Sequence, residues 1–382
     1  MFDKLKYPLI TLTSFLVMSV YGLVIFNLSF LGPVKRALKS LKMTDIYYQI
    51  SQSVGEPEES QLVTLVDMTE LISRRDLAQT LEDIESCDPK AVGVDMIFQG
   101  LKEDTVGDEW IRNVANGYDN IIFSYKLIDF DPKEQKYTQT VKPFFAADVE
   151  ERLGFTNMPR SDLYDDIKRV VPVGRTLNDS VVPSFVSQVV NRFADQEAIK
   201  IKPKDITINF RPTKFVVLQP EDVVAHPELI TDRIVLFGAM NEEGDMHYTP
   251  LGKIAGVELL AYAVQTVLKQ QEVKSPPEWL TWVLSFLIAL CTLIWTKSYG
   301  DYQNRHRKSA FMRVFMTSSL VRGFLMFLWM GIFLGIGFVL FSFFSISMNF
   351  GWAFSGMAFL GTGESFFNII AEKFRKQPDS ET

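Results

Sequence analysis

The stretch A-V-G-V-D-M-I-F at residues 91–98 sets four small or branched apolar residues, Ala91–Val94, directly before an acid, Asp95. A short uninterrupted apolar run is the pattern of a strand covered on both faces, as in a parallel sheet. Working outward, Leu62–Val66 repeats the pattern and ends at Asp67, Asn120–Tyr125 gives a third strand, and Arg233–Phe237 gives another that ends at Gly238. Between the first two strands, Ser73–Ser86 carries Leu77, Leu81 and Ile84 on one helical face, with Ser73 as a plausible N-cap. Gly107–Asn116 reads as a second helix. Strand, helix, strand, helix, strand predicts an α/β domain with a mostly parallel sheet. Residues 35–50 read as a helix and 52–60 as a linker. The span 126–180 is less regular, with a short strand at Arg169–Val173. Val182–Ala194 reads as a helix, Ile206–Phe210 and Phe215–Leu218 as an extra strand pair, and Ala255–Lys269 as an amphipathic helix before Pro276-Pro277.

The two ends of the chain are of another kind. Tyr7 to Val34 holds no charge over 28 residues, against the roughly 20 that cross a bilayer core. Lys4 and Lys6 precede it, and it is too long for the core of a cleaved signal peptide, so it reads as an uncleaved signal anchor. Trp279 to Thr296 is a second uncharged run, and Gly323 to Gly363 a third of 41 residues, which suits a hairpin of two helices broken near Ser347–Gly351. The sum is four transmembrane helices, one N-terminal and three C-terminal. The expected organisation is an anchor at 1–34, an extracytoplasmic domain at 35–277, three membrane helices within 278–372 and a short tail at 373–382.

Orientation follows from the short loop 297–322, where Lys297, Arg305, Arg307, Lys308, Arg313 and Arg322 face a single acid, Asp301. Basic short loops stay in the cytoplasm. Both termini are then cytoplasmic and the large domain lies outside a bacterial inner membrane. Lys35, Arg36, Lys39 and Lys42 sit on the opposite flank, but they open a long domain, and long domains translocate largely regardless of charge. Residues 35–278 carry 28 basic and 40 acidic side chains, a net charge of −12, which argues against a nucleic-acid partner. The two cysteines, Cys87 and Cys291, fall in the domain and in a membrane span, so no bridge within the chain is expected.

The segments T-D-R-I-V-L-F-G-A at 231–239, G-D-M-H-Y-T-P at 244–250 and A-G-V-E at 255–258 resemble the second half of the type-two CHASE domain, a bacterial extracytoplasmic sensory module. The strand ending at Asp67, A-V-G-V-D-M-I-F at 91–98, G-F-T-N at 154–157 and R-V-V-P at 169–172 agree with the rest, and the resemblance covers about residues 45–275. It implies a sensor with one membrane helix before the domain and three after it. Members usually continue into a cytoplasmic histidine kinase, nucleotide cyclase, diguanylate cyclase or serine/threonine kinase, whereas this sequence stops about ten residues after the last span. L-L-A-Y at 259–262 also departs from a pattern that often carries His and Asn.

Ligands of open parallel sheets bind beyond the carboxyl ends of the strands. Asp67, Asp95, Asp245, His247 and Thr249 fall at such positions, and three carboxylates with an imidazole suit a divalent cation or the amines and hydroxyls of a small ligand. The same residues suit helix caps and loop ties. In the membrane, Glu364 is the acid that needs a partner, with no Lys or Arg expected in the membrane core, and Gly331, Gly335 and Gly356 offer small-residue faces for another helix. No nucleophile–base pair or phosphate loop is visible, and no cofactor is indicated. The expected function is a non-enzymatic sensory or regulatory subunit acting on a separate membrane or cytoplasmic protein. A scaffold subunit of an envelope complex and an extracytoplasmic hydrolase are the alternatives.

Overall fold

The structure, a computed structural model, describes residues 2–27, 43–54, 56–159, 167–306, 309–316 and 318–375. Half of the helix expected at 35–50, residues 35–42 with the Lys35–Lys42 flank, lies outside them, as does most of the tail. The chain divides into a helical unit, Met1–Met43 with Lys274–Thr382, and an α/β unit, Thr44–Val273.

Helix α1 (Phe2–Asn27) opens the helical unit and α2 (Met43–Val54) leads into the α/β unit. There follow β1 (Glu58–Asp67), α3 (Arg74–Ser86), β2 (Ala91–Val94), α4 (Thr105–Gly117), β3 (Ile121–Asp131), β4 (Lys136–Val141), β5 (Leu153–Phe155), β6 (Val170–Pro172), β7 (Gly174–Leu177), β8 (Ser180–Pro183) and α5 (Phe185–Phe193). The unit ends with β9 (Asp205–Thr207), β10 (Thr213–Leu218), β11 (Ile234–Gly238), the hairpin β12 (Met246–Thr249) and β13 (Gly252–Ala255), and α6 (Gly256–Leu268).

Five strands run parallel in the order β10-β1-β11-β2-β3, and β5 also pairs with β3. Every residue of β2 and β11 is buried, as their unbroken apolar sequences require. Register decides the faces. Val66, Phe237, Val94 and Phe123 are in line across the sheet, and they share one core with Leu77 and Leu81 of α3 and Ile111 and Val114 of α4. On the other face Gly93 leaves room for α5, since a Cβ there would stand 2.7 Å from the Phe185 ring and 3.0 Å from Val189. Ser73 caps α3 by accepting from the Asp76 amide at 3.1 Å.

The sheet is mixed, which corrects the expectation of a mostly parallel one. β3 pairs with the parallel core at its start and, antiparallel, with β4 at its end; β4 continues to β7 and β8. The turn at 131–135 makes the reversal, with Asp131 accepting from the Lys133 amide at 2.8 Å and Gln135 at φ 54°. The expected pairing of 206–210 with 215–218 is also corrected: β9 pairs with β6, and β10 lies parallel on β1. β1 begins at Glu58, inside the expected linker, and the expected helix at 182–194 starts only at Phe185.

In the helical unit, α7 (Glu278–His306), α8 (Ala310–Met316), α9 (Ser319–Phe344), α10 (Gly351–Ala358) and α11 (Leu360–Arg375) complete the chain. Among the described residues two helical stretches, Glu278–His306 and Gly323–Phe344, are long and apolar enough to cross a membrane, not four. Thr11, Thr13, Ser14 and Ser19 dilute α1 and turn their hydroxyls onto its own carbonyls at 2.8–3.0 Å. The final apolar run is split, because α10 has 8 residues and α11, with 16, carries Glu364, Glu372 and Lys373. The break after α9 falls where turn chemistry predicts: Ser345 adopts φ 53° and helix resumes at Gly351. α1 packs closely on the last two helices. A Cβ at Gly356 would stand 2.6 Å from the Phe15 ring, and one at Gly363 would stand 2.7 Å from the Ser14 backbone.

Candidate functional site

Asp67 and Asp95 end strands on either side of β11, level with Gly238. Asp67 is in register with Gly238, and the Asp95 amide donates to the Phe237 carbonyl at 2.9 Å. Gly238 is needed here, because a Cβ would stand 2.7 Å from Val257 and 3.4 Å from the Asp95 Cβ. The Asp67 carboxylate is buried and spoken for. Its Oδ1 accepts from the Thr69 amide at 2.9 Å, the Met240 amide at 3.1 Å and the Thr69 hydroxyl. Thr69 Oγ1 in turn accepts from Met240 and Asn241 amides at 3.0 and 3.2 Å. The group fastens the loop after β1 to the loop after β11. Thr249 does the same within its hairpin, donating to the Gly252 carbonyl at 2.9 Å and accepting from the Leu251 amide at 3.2 Å.

Asp95 has a different environment. It is half-buried, and no donor among the described residues hydrogen-bonds its carboxylate. Burial pushes its pKa up to about 7, helped by the negative charge of Asp245, while Lys126 and His247 oppose the rise. Asp245 closes the turn Glu243–Asp245. Its carboxylate lies against Gly256, the first residue of α6, where a side chain would overlap it. The flanking Ala255 provides no side-chain cap, so a carboxylate at this positive helix end is favourable. His247 Nε2 stands 3.6 Å from Asp245 Oδ1. The structure therefore brings Asp95, Asp245 and His247 together and leaves Asp67 and Thr249 in separate loop ties. Lys126, not singled out in the sequence, joins them; its position directly after the strand expected at Asn120–Tyr125 was the available signal. Among the described residues no group of three or more His, Cys, Asp or Glu is placed to hold a metal ion.

Two buried ion pairs frame this edge. Arg74 pairs with Asp108, donates to the Gly100 carbonyl at 2.8 Å and lies 4.8 Å from the Phe144 ring centre, while Asp108 Oδ2 accepts from the Lys102 amide at 2.7 Å. This fixes the loop after β2. Arg169 grips Asp45 of α2 with two bonds of 2.6 and 3.2 Å, and Tyr48 of the same helix donates to the Ile208 carbonyl at 3.2 Å. Beside Arg169, the Lys168 amide donates to the Tyr248 carbonyl of the hairpin at 2.7 Å. The thiols of Cys87, buried, and Cys291, exposed, are free.

In the helical unit Glu364 accepts from Lys297 Nζ at 2.5 and 2.8 Å. The partner expected for Glu364 is thus a residue of this chain: Lys297, assigned in the sequence to the loop 297–322, is part of the continuous helix α7. Gly356 is occupied by Phe15, whereas Gly331 and Gly335 of α9 have open space where a side chain would stand.

A comparison with curated proteins gives no match, and neither does one with solved structures. The CHASE2 domain family matches residues 20–297, covering the α/β unit with the chain on both sides of it, and this chain belongs to that family.

Proposed function

We propose that this chain is a membrane-anchored sensory or regulatory subunit whose CHASE2 domain receives a signal outside the cytoplasmic membrane and passes it to a separate protein. CHASE2 domains are extracytoplasmic sensory modules, and two helices here have the length and composition of membrane spans. The observation that carries the reading is the buried Arg169–Asp45 pair. Within the α/β unit it ties α2 to Arg169, directly before β6, and Lys168 extends the link to the hairpin bearing His247. A sensor transmits only if its two states differ in what they hold in place.

In this proposal α1 and the α10–α11 pair add two crossings to α7 and α9, both termini are cytoplasmic, and the basic residues of 297–322 face the cytoplasm. That loop is too short to fold as an enzyme, and the chain acts without catalysis of its own. The face of α9 around Gly331 and Gly335 is the candidate partner contact; Glu364 and Gly356 serve the bundle itself. Asp95, Asp245 and His247 remain the candidate signal-binding group. A second reading, a scaffold subunit, draws on Ile72 and Leu101, which are 96% and 71% exposed beside the strand ends.

Affinity purification from native membranes tests the proposal. The expected result is capture of a membrane or cytoplasmic protein whose activity changes with Arg169→Ala. A chain that purifies alone, or only with itself, overturns it. Impermeant cysteine labelling is expected to reach position 120 and not position 300 in intact cells.

A further inference from the structure

We propose that α8 and the basic residues around it form a lipid-contacting element, which lies in the headgroup layer where α7 ends and α9 begins and takes the phosphates of anionic phospholipids. The proposal rests on the reading of α7 and α9 as membrane spans and names the lipid surface as the partner of this segment.

Charge and apolar surface coincide there. From Gln303 to Arg322 the sequence holds Arg305, Arg307, Lys308, Arg313 and Arg322 and no Asp or Glu. Lys297, earlier in α7, is engaged by Glu364 and stands apart from this group. Within the basic stretch α8 exposes Phe311, Val314 and Phe315, at 77%, 71% and 51%. Positions i, i+3 and i+4 fall on one helical face. The Phe311 and Phe315 rings lie 6.5 Å apart and nearly parallel, at 12°. Three large apolar side chains on one face of a 7-residue helix are favoured by any setting that removes them from water.

Position decides what that setting is. α7 ends at His306 and α8 begins at Ala310. At its other end α8 stops at Met316, and α9 starts at Ser319, a gap that spans about 10 Å at most. The Ser318 amide closes it by donating to the Phe315 carbonyl at 3.1 Å, and Ser318 Oγ accepts from the Val321 amide at 3.4 Å. The membrane-length stretch of α9 starts at Gly323. α8 is thus fastened within a turn or two of a bilayer surface. An apolar face buried about 5–10 Å there reaches the acyl boundary while Arg and Lys side chains meet phosphate. Any bilayer suits the apolar face, but a run of cations with no acid among them is drawn to an anionic leaflet. The tether presents lipid to this face continuously, whereas an acidic protein would have to displace it.

The test uses the full chain in lipid nanodiscs, with Cys87 and Cys291 replaced by Ala and a spin label at position 314, which is exposed. Label depth is read from collisions with oxygen and with a water-soluble nickel chelate. In bilayers with about 30% phosphatidylglycerol the label is expected about 5–10 Å below the phosphates. In pure phosphatidylcholine it is expected to be shallower and to meet the chelate about twofold more often or above. High salt is expected to narrow the difference. Arg305→Gln, Arg307→Gln, Lys308→Gln and Arg313→Gln together are expected to abolish the dependence on anionic lipid, and Phe311→Ser with Phe315→Ser to lose the depth in both bilayers. The unsubstituted chain, compared between the two bilayers, decides independently of either variant. Inorganic phosphate added to phosphatidylcholine discs is expected to leave the label where it is. A label that stays open to the chelate in anionic bilayers overturns the proposal, as does equal depth in both bilayers or a deepening caused by phosphate alone. Both leaflets of a disc have the same composition, so the result is independent of sidedness. Labelling of position 300 from outside intact cells, with lipid contact retained, sinks the topology and leaves this element standing. Protection of position 300, with position 314 in water, does the reverse.

Discussion

Asp67 and Asp95 occupy equivalent places at the ends of β1 and β2, each beside the end of β11, and they live under opposite conditions. Three donors from the chain reach one oxygen of Asp67. Among the described residues none hydrogen-bonds the Asp95 carboxylate, which feels the negative charge of another acid, Asp245. A carboxylate bonded to amides stiffens the loops that solvate it; one buried without donors favours its neutral form. Position at a strand end does not by itself make an aspartate functional. The loop that follows the strand does, by providing or withholding N–H groups.

The comparison breaks most readily at Asp67. Replacing it with Ala leaves the Thr69 and Met240 amides without their anionic acceptor and is expected to destabilise the domain by about 2–4 kcal/mol, read as a fall in the denaturation midpoint of the full chain. A cost no greater than that of Asp95→Asn would erase the distinction. Next in size is Gly256→Ala, whose methyl group displaces the Asp245 carboxylate, at an expected about 1–3 kcal/mol. Gly244→Ala, which meets open space, is the control and is expected to be near neutral.

Asp95→Asn sharpens the contrast because its effect should depend on pH. A folded-state pKa raised to about 7 from the ordinary aspartate value of 3.8 means that the folded chain keeps a proton the unfolded chain has released. Stability from this group is therefore complete at low pH and is lost as pH rises to and through about 7. With partial solvent screening, Asp95→Asn is expected to stabilise by about 1–3 kcal/mol at pH 8 and by almost nothing at pH 4. Glu85, pushed to about 7 chiefly by burial, has the same sign, and burial also raises Glu258, so some loss of stability with rising pH should persist in Asp95→Asn and shrink further with Glu85→Gln added. Denaturation curves at pH 4, 6 and 8 decide this. The smallest effect belongs to Thr249→Val, a loop tie like Asp67 but uncharged: about 1 kcal/mol, equal at all three pH values. A pH-dependent cost would place Thr249 with Asp95 instead.

The helical unit gives the same lesson in an apolar setting. Glu364 is alone in its own stretch of sequence, yet Lys297, 67 residues earlier, meets it with both carboxylate oxygens in reach. Gly356 and Gly335 look alike as small residues in apolar helices, but only Gly356 is filled from within the chain, by Phe15.

The sequence by itself determined what depends on neighbours along the chain. Leu62–Val66, Ala91–Val94, Asn120–Tyr125 and Arg233–Phe237 were legible as strands because short runs rich in branched and aromatic apolar residues have few other places to go. Ser73 was legible as a cap, Ser347–Gly351 as a helix break, and the ends of the chain as a region apart. The tertiary structure alone decided what depends on partners far along the chain. It set β10 on β1 instead of beside β9, and turned the second half of β3 antiparallel through polar strands with little apolar pattern to read. It also separated Asp67 from Asp95, since the Met240 amide that fastens Asp67 is 173 residues away. Sequence spacing specifies which residue types are available at a strand end. Whether a carboxylate there finds donors or another carboxylate is fixed only when distant loops close around it, because solvation of a charge is a property of its surroundings in space.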